Sequence, residues 1–193
     1  MRVRISRVAI KGDERIMIKH LAHILFHPKI GPDMYFTHWL LFFEPFRSWY
    51  QKRMLGFIGE GSEIRPYAVI IGSKNVYIGS NVIVPEGTVI VALPGDKDSQ
   101  VIVGDNVLLG PRVAIYATTH KFDDISMPVK NQGNSSGKTV IKSGSWIGIN
   151  SVILSGVTVG VNSVVGANSV VTRDVPDFCV YAGSPAKFIR KLN

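Results

Sequence analysis

A six-residue repeat of aliphatic positions organises the second half of the chain. An isoleucine or valine recurs at every sixth position without an error, at Ile141, Ile147, Ile153, Val159, Val165 and Val171. The position four places after each is small or β-branched, at Ser145, Ser151, Val157, Ser163, Ser169 and Val175. A helix repeats near ~3.6 residues and a strand near ~2, so neither explains this period. The pattern predicts a parallel β-helix, in which each repeat forms one flat side of a coil and neighbouring coils share their burial.

The same rhythm starts earlier and is interrupted three times. Its earlier members are Ile58, Ile64, Ile70, Ile78, Val84, Ile90, Val103, Leu109 and Ile115. Each interruption follows a third repeat and adds two, seven and twenty residues in turn. Because three repeats make one triangular coil, all three insertions should leave from the same corner. We predict about five coils over residues 58–176, with a short loop at 94–99 and a long loop at 121–138. A long excursion from a regular scaffold is typical of a functional loop.

Residues 1–57 do not repeat and are predicted to form a helical arm. Asp13 suits the N-cap of a helix that runs through Leu25, and a second helix is predicted from about Pro45 through Met54. Both are short and amphipathic, which also suits a membrane surface. We favour a covering function, because the open end of a β-helix exposes unpaired edges and core.

Four histidines lie in this arm, at His20, His23, His27 and His38. Three of them share one face of the first predicted helix. No carboxylate or cysteine completes a ligand set with them, so no metal site is predicted.

The rhythm stops after Pro176. In residues 177–193, Ser184 suits an N-cap and Pro185 the first helical position, so a short C-terminal helix is predicted.

Composition and charge narrow the class of protein. The chain has 193 residues and 46% hydrophobic content, enough for one repeat domain with an appendage. The apolar run 39–43 is far too short to cross a bilayer, and no secretory pattern is present. The single Cys179 excludes an internal disulfide and fits a reducing compartment. We expect a cytoplasmic location, with the inner membrane surface as a further option.

The net charge of +8 belongs mainly to the arm, which has ten Lys/Arg against four Asp/Glu. Nucleic acid, anionic lipid or an anionic substrate would each suit a basic surface. We favour a solvated face and predict no nucleic-acid partner, while peripheral membrane association through the arm stays open.

Several motifs carry a family resemblance over residues 58–192. They are Trp146-Ile147-Gly148, Gly156-Val157-Thr158-Val159-Gly160, Val165-Gly166-Ala167 and Ala182-Gly183-Ser184-Pro185-Ala186-Lys187. These resemble the hexapeptide-repeat acyltransferases, and the stretch around His120 is similar to their sugar and xenobiotic O-acetyltransferase branch. The resemblance implies a left-handed β-helix, a homotrimer, active sites in grooves between two chains, and acetyl-CoA as cosubstrate. The family's carbonic anhydrases need several coil histidines, and the repeat region has one.

Acetyl transfer from a thioester to a hydroxyl needs a base and oxyanion donors. His120 is the only histidine within the repeat region and opens the long loop, so with the resemblance we predict it as general base. The side chain that orients its imidazole is left open among Glu86, Asp123 and Asp124, which are also candidates for substrate binding. No serine or cysteine nucleophile is indicated, so direct transfer in a ternary complex is expected.

The resemblance also implies the cofactor-binding residues. The backbone amide of Ile149 matches a donor to the thioester carbonyl, although many members have serine there, and the amide of Ala167 matches one that meets the pantetheine arm. Trp146 matches a loop-side tryptophan, and simple packing at the coil edge is an equal alternative for it. The basic positions that meet CoA phosphates are matched by Arg173, Lys187 and Arg190. The alternative to phosphate binding is that these basic side chains lie at the C-terminal end of a helix, where the helix dipole favours positive charge. Gly87 stands where some members have an acceptor-binding asparagine, so acceptor binding must differ in detail.

The predicted function is therefore an acetyl-CoA-dependent O-acetyltransferase acting on a sugar hydroxyl in surface polysaccharide or lipopolysaccharide synthesis. Acetylation of an antibiotic, or of the nitrogen of an amino sugar, is the second hypothesis. A non-catalytic β-helical scaffold is the third.

Overall fold

The computed structural model describes residues 43–193. The first predicted helix and the four arm histidines lie outside the described residues. The second predicted helix is present as α1 (Glu44–Met54), with Pro45 in its first turn. Within residues 43–193 there is no helix with the length and apolar character needed to cross a membrane.

Strands of two or three residues follow α1 and form coils of three sides each. The first coil contains β1 (Phe57–Ile58), β2 (Glu63–Ile64) and β3 (Val69–Ile71). The second contains β4 (Val76–Ile78), β5 (Ile83–Val84) and β6 (Val89–Val91). The third contains β7 (Val101–Val103), β8 (Leu108–Leu109) and β9 (Ala114–Tyr116). A hairpin of β10 (Thr118–His120) and β11 (Asn134–Ser136) then interrupts the coils.

The repeats resume after this hairpin. The fourth coil contains β12 (Thr139–Ile141), β13 (Trp146–Ile147) and β14 (Val152–Ile153). The fifth contains β15 (Thr158–Val159), β16 (Val164–Val165) and β17 (Val170–Val171). The chain ends with β18 (Cys179–Gly183) and β19 (Ala186–Lys191). The predicted number of five coils is confirmed.

The coils stack into three parallel sheets. Sheet I has the order β1-β4-β7-β12-β15, and sheet III has the order β3-β6-β9-β14-β17. Sheet II has the order β2-β5-β8-β13-β16-β18, with β19 added antiparallel at its edge. Each strand has at least one inward aliphatic side chain, which sits on its equivalent in the next coil, as Leu109, Ile147 and Val165 do. The three-residue strands β4 and β7 bury two each. These inward side chains are almost completely buried and form the core.

Buried serines join consecutive coils inside the corners. The hydroxyl of Ser145 donates to the carbonyl of Gly160 one coil above at 2.8 Å, and Ser163 donates to Pro176 at 2.7 Å. Both serines are fully buried. Where the residue four places after a core aliphatic is a serine, its hydroxyl satisfies a backbone carbonyl that faces the interior. At the two remaining positions, Val157 and Val175 are buried apolar side chains.

Helix α1 closes the lower end of the stack through a glutamine. The side-chain amide of Gln51 donates to the carbonyl of Ile64 at 2.6 Å and accepts from its N–H at 3.2 Å. Gln51 thus pairs with the exposed edge of β2 as another strand would. Tyr50 and Met54, on the same helix, are buried in the core. Burial raises the pKa of Tyr50 to about 12.

The predicted C-terminal helix is wrong, because residues 179–191 form an antiparallel pair of strands. β18 first extends sheet II by pairing in parallel with β16. The chain then reverses at Ser184-Pro185, after Gly183 at φ 101°, and β19 returns along β18. The free edge of β16 has backbone N–H and C=O groups that need hydrogen-bond partners, and a strand supplies these where a helix does not. The Tyr181 and Phe188 rings also pack edge to face across the pair of strands. Ser184 and Pro185 are turn residues here.

Candidate active site

The stacked coils form a three-sided prism. All three insertions leave from one of its corners, between sheet III of one coil and sheet I of the next, which we call the insertion corner. The twenty-residue insertion forms a projecting arm of β10, β11 and the loop between them. A groove of about 630 Å³ lies between the base of this arm and the edge of sheet III. Its walls are formed by Val91, Tyr116, Thr118, Thr119, His120, Phe122, Asn134, Leu154, Ser155 and Thr172.

His120 is the titratable imidazole of this groove. It is the last residue of β10 and pairs in register with Asn134 of β11, which also lines the groove. The His120 side chain is exposed and makes no hydrogen bond to another residue in the part of the chain that the structure describes. Its ring nitrogens are thus open to a bound hydroxyl, which is the access that a general base needs.

The root of the arm is fixed to the prism by buried hydroxyls. Thr139 donates to the carbonyl of Tyr116 at 2.7 Å, and Ser99 donates to the carbonyl of Ala117 at 3.0 Å. Both hydroxyl-bearing side chains are fully buried. The carboxylate of Asp96, on the shorter insertion below, accepts from the Ser136 hydroxyl, which lowers the pKa of Asp96. These contacts set the position of β10 and therefore of His120.

The three candidate carboxylates do not line the His120 groove. Asp123 and Asp124 border a separate hollow of about 420 Å³ at the arm's tip. Asp124 accepts from the amide and hydroxyl of Ser126, and these bonds lower its pKa. Glu86 lies on the second coil, with Arg65 3.9 Å away. Within one chain, the structure thus brings none of the three to the imidazole.

A second feature lies at the corner between sheets II and III, which we call the donor corner. The amides of Ile149 and Ala167 have no hydrogen-bond acceptor among the described residues. They stack one coil apart, and each follows a glycine (Gly148, Gly166) at its turn. A Cβ added at Gly148 would lie 2.5 Å from the amide nitrogen of Ala167, so glycine is needed for this close stacking. Two free donors in line suit the carbonyls of an extended ligand.

The remaining predicted residues lie on the outer surface. Trp146 is half exposed on sheet II, with Leu108 and Val164 on either side in register. Arg173 is exposed near the insertion corner of the fifth coil, beside Thr172 of the groove. Lys187 and Arg190 lie exposed on β19, so the helix-dipole alternative for them is wrong.

Sequence reasoning missed the groove residues Tyr116, Phe122 and Asn134. The six-residue period indicates only that Tyr116 faces outward at a strand end. Asn134 could be found only from the register of the hairpin, which places it opposite His120. In residues 43–193, no group of three His, Cys, Asp or Glu side chains could hold a metal ion.

Comparisons with known proteins agree with this geometry. The family model for bacterial transferase hexapeptide (six repeats) matches residues 138–173. The structure of a galactoside acetyltransferase in complex with coenzyme A is 30% identical, with a TM-score of 0.71, and the match covers 98% of this chain and 86% of that one. This chain belongs to the hexapeptide-repeat transferase family.

Two further relatives fit this assignment of the hexapeptide transferase. A galactoside O-acetyltransferase of Lactococcus lactis subsp. lactis (strain IL1403) is 35% identical over 144 residues, which are 74% of this chain and 66% of that enzyme. A hexapeptide-repeat acetyltransferase from Vibrio cholerae O1 biovar eltor, complexed with acetyl coenzyme A, is 31% identical with a TM-score of 0.67 and 78% of each chain covered.

Family membership decides several predictions. The left-handed parallel β-helix, the acyltransferase class and acetyl-CoA as cosubstrate are confirmed. The roles assigned to individual site residues stay predictions.

Proposed function

We propose that this hexapeptide transferase moves the acetyl group of acetyl-CoA to a sugar hydroxyl, in the synthesis of a surface polysaccharide or lipopolysaccharide. The observation that carries the proposal is the open imidazole of His120 in a groove of about 630 Å³ at the base of the arm. The relative from Lactococcus lactis is named a galactoside O-acetyltransferase, which supports a sugar acceptor.

The chemistry follows from the groups at the two corners. His120 takes the proton of the acceptor hydroxyl as its oxygen attacks the thioester carbonyl carbon. Negative charge develops on the carbonyl oxygen, where the free amide of Ile149 can donate. The carbon–sulfur bond then breaks, and the imidazolium returns the proton to the CoA thiolate. No covalent enzyme intermediate is required. The cationic side chains of Arg173, Lys187 and Arg190 are proposed to bind the CoA phosphates.

The two corners lie too far apart to serve one acetyl group within a single chain. Sheet III separates them, and from Ile149 to Leu154 the backbone spans on the order of 15 Å at ~3.3 Å per residue. A base and an oxyanion donor must both lie within about 3 Å of the reacting groups. We propose that the site is completed between copies, with His120 from one and the amides of Ile149 and Ala167 from the next.

The outer surface supports such an assembly. On sheet II, Ile83, Leu108 and Trp146 form an outward column in register, and they are 41%, 60% and 50% exposed. On the arm, Phe122 and Ile125 are strongly exposed. Contiguous exposed apolar side chains mark interaction surfaces. In a homotrimer with three equivalent grooves, the column on sheet II and the arm of every chain would both be covered by neighbouring chains, because cyclic symmetry repeats the same contact around a closed ring. Light scattering should return about three chain masses.

Replacement of the base tests the proposal. His120→Ala should lower kcat by about 10²–10⁴-fold, the usual contribution of general-base assistance, with little change in the KM for acetyl-CoA. The measurement is CoA thiol release against a panel of galactosides and other sugars. Asn131→Ala, a change on the same arm but away from the groove, is the matched control and should retain wild-type turnover. Wild-type turnover by the His120 variant would exclude His120 as the base.

A further inference from the structure

Arg112 departs from the pattern of the turns around it. Among the described residues, eight other than glycine adopt positive φ: Tyr67, Phe178, Arg112 and five asparagines, at Asn81, Asn106, Asn150, Asn162 and Asn168. Asparagine tolerates this conformation because its short side chain bonds locally, whereas most residues lose about 1–2 kcal/mol there. Arg112 adopts φ 56° at the donor corner of the third coil. A costly residue at a corner that carries unused donors suggests a functional reason.

The Arg112 side chain is held along the donor corner across three coils. Below it, a Cβ added at Gly87 would lie 2.8 Å from Cγ of Arg112, so the glycine leaves room for the arginine stem. Above it, Nε of Arg112 donates to Oδ1 of Asn150 at 2.8 Å. Asn150 donates in turn to Asn168 at 3.1 Å. The guanidinium is therefore oriented before any ligand binds.

The terminal nitrogens of that guanidinium are free. Among the described residues, no carboxylate lies within 4.0 Å of them, and no hydrogen bond engages them. Glu86 is the carboxylate of the neighbouring coil at this corner, but its ion-pair partner is Arg65. Arg112 is also exposed. The corner thus presents an oriented, uncompensated pair of donors with a full positive charge.

The coil on which Arg112 lies indicates which ligand its guanidinium would contact. Under the proposed function, the pantetheine arm lies at Ala167 on the fifth coil and the thioester at Ile149 on the fourth. Pro111 and Arg112 form the same turn on the third coil. The acceptor must approach the thioester from the side opposite the cofactor, which is this side. The free guanidinium therefore faces the acceptor rather than CoA.

We propose that Arg112 binds an anionic group of the acceptor, so that the substrate is a sugar bearing a phosphate or a carboxylate. A guanidinium donates two parallel hydrogen bonds to either group, and the fixed fork gives specificity as well as affinity. This inference rests on the proposed function, since the cofactor's direction defines the acceptor side. It also gives Gly87 a role, as the residue that makes room for the arginine.

Arg112→Asn is the informative variant. Asparagine suits the left-handed turn, and the pair Asn81–Asn106, joined at 3.2 Å, is the precedent for stacking on Asn150. Thermal unfolding should therefore occur at or above the wild-type temperature. The KM for galactose 1-phosphate or galacturonate should rise by about 10–100-fold, the usual loss for a charge-assisted bidentate contact. The KM values for galactose and for acetyl-CoA should stay unchanged, because neither ligand uses the guanidinium.

A binding measurement separates this inference from the proposed function. Calorimetric titration of the CoA-saturated protein with galactose 1-phosphate, galacturonate and galactose should show preference for one or both anionic sugars, lost in Arg112→Asn. Comparing galactose 1-phosphate with galacturonate shows whether the bound anionic group is a phosphate or a carboxylate. Such binding without acetyl transfer would leave the inference standing and contradict the proposed function. Acetylation of galactose with no anionic preference, or equal effects of the variant on all three sugars, would overturn the inference alone.

Discussion

The interior of the prism and the arm that leaves it are held together in opposite ways. Inside, each coil contributes aliphatic side chains such as Ile147, fully buried against the coils on both sides. On the arm, Ile125 is completely exposed, and the tip is fixed by local polar contacts. One of these is the Gln132 amide, which donates to the carbonyls of Asp124 at 2.8 Å and Met127 at 3.1 Å.

Because of this difference, most of the stability lies in the stacked coils, whereas the predicted active site lies at the arm. Stacked coils share burial, so the prism resists local opening, whereas a hairpin with few buried contacts has little stability of its own. The predicted base lies where the two meet, at the end of β10. The rigid side of the groove fixes the position of the predicted base, and the exposed side is the one that a second chain would cover in the proposed assembly.

The largest expected effect comes from the interior. Ile147→Ala should lower the free energy of unfolding by about 2–5 kcal/mol, through lost burial and the cavity left behind. Ile125→Ala removes the same atoms from the arm and should cost less than about 0.5 kcal/mol, as exposed substitutions do. Urea denaturation followed by circular dichroism measures both. A loss of equal size in the two variants would contradict the comparison.

A smaller effect is expected at only one of two aspartates that both have a lowered pKa, Asp177 and Asp124. Asp177 accepts from the Val161 amide at 2.8 Å and from Lys142 at 3.2 Å, and these bonds lower its pKa. It therefore joins separate coils, whereas Asp124 bonds only within the arm. Asp177→Asn should give a small decrease in Tm at pH 7, and Asp124→Asn should not.

The pH dependence sharpens this prediction. Because the folded-state pKa of Asp177 is depressed, its stabilisation is present above the unfolded pKa, near ~3.9, and is lost as the pH falls through the folded value. The Tm difference between wild type and Asp177→Asn should therefore shrink on acidification below about pH 4. A difference that stayed constant to pH 2 would assign the effect to packing rather than charge.

The parts predictable from the sequence are those that repeat. Each inward aliphatic side chain packs against its equivalents in the coils above and below, so the six-residue period predicts which residues form the interior. The interruptions of that period predict where the insertions leave the coils. The C-terminal residues have no such periodicity. There, Ser184-Pro185 fits a helix start locally, but the open edge of sheet II selects a strand.

The site was only partly predictable for the same reason. His120 stood out because it is the one histidine of the repeat region, at the start of the long insertion. The free amide of Ile149 is a property of backbone packing, and the resemblance alone indicated it. Arg112 was missed, because its meaning comes from the left-handed turn and from Gly87 beneath it.

The central claim is that one active site takes His120 from one chain and the Ile149 amide from another. Ile149→Pro deletes that amide, and Pro111 occupies the same turn position one coil below, so the fold accepts proline there. Alone, this variant should lose about 10²–10³ in kcat, as the loss of an oxyanion donor does.

Mixing this variant with His120→Ala in assembled trimers measures the claim directly. In a random equimolar mixture, about one quarter of the grooves receive His120 from an Ile149→Pro chain and the intact amide from a His120→Ala chain. Turnover should therefore recover to about one quarter of the wild-type rate, far above either variant alone. If tagged chains prove that mixed trimers form and turnover stays at the level of the separate variants, a single chain supplies both groups and the shared site is wrong.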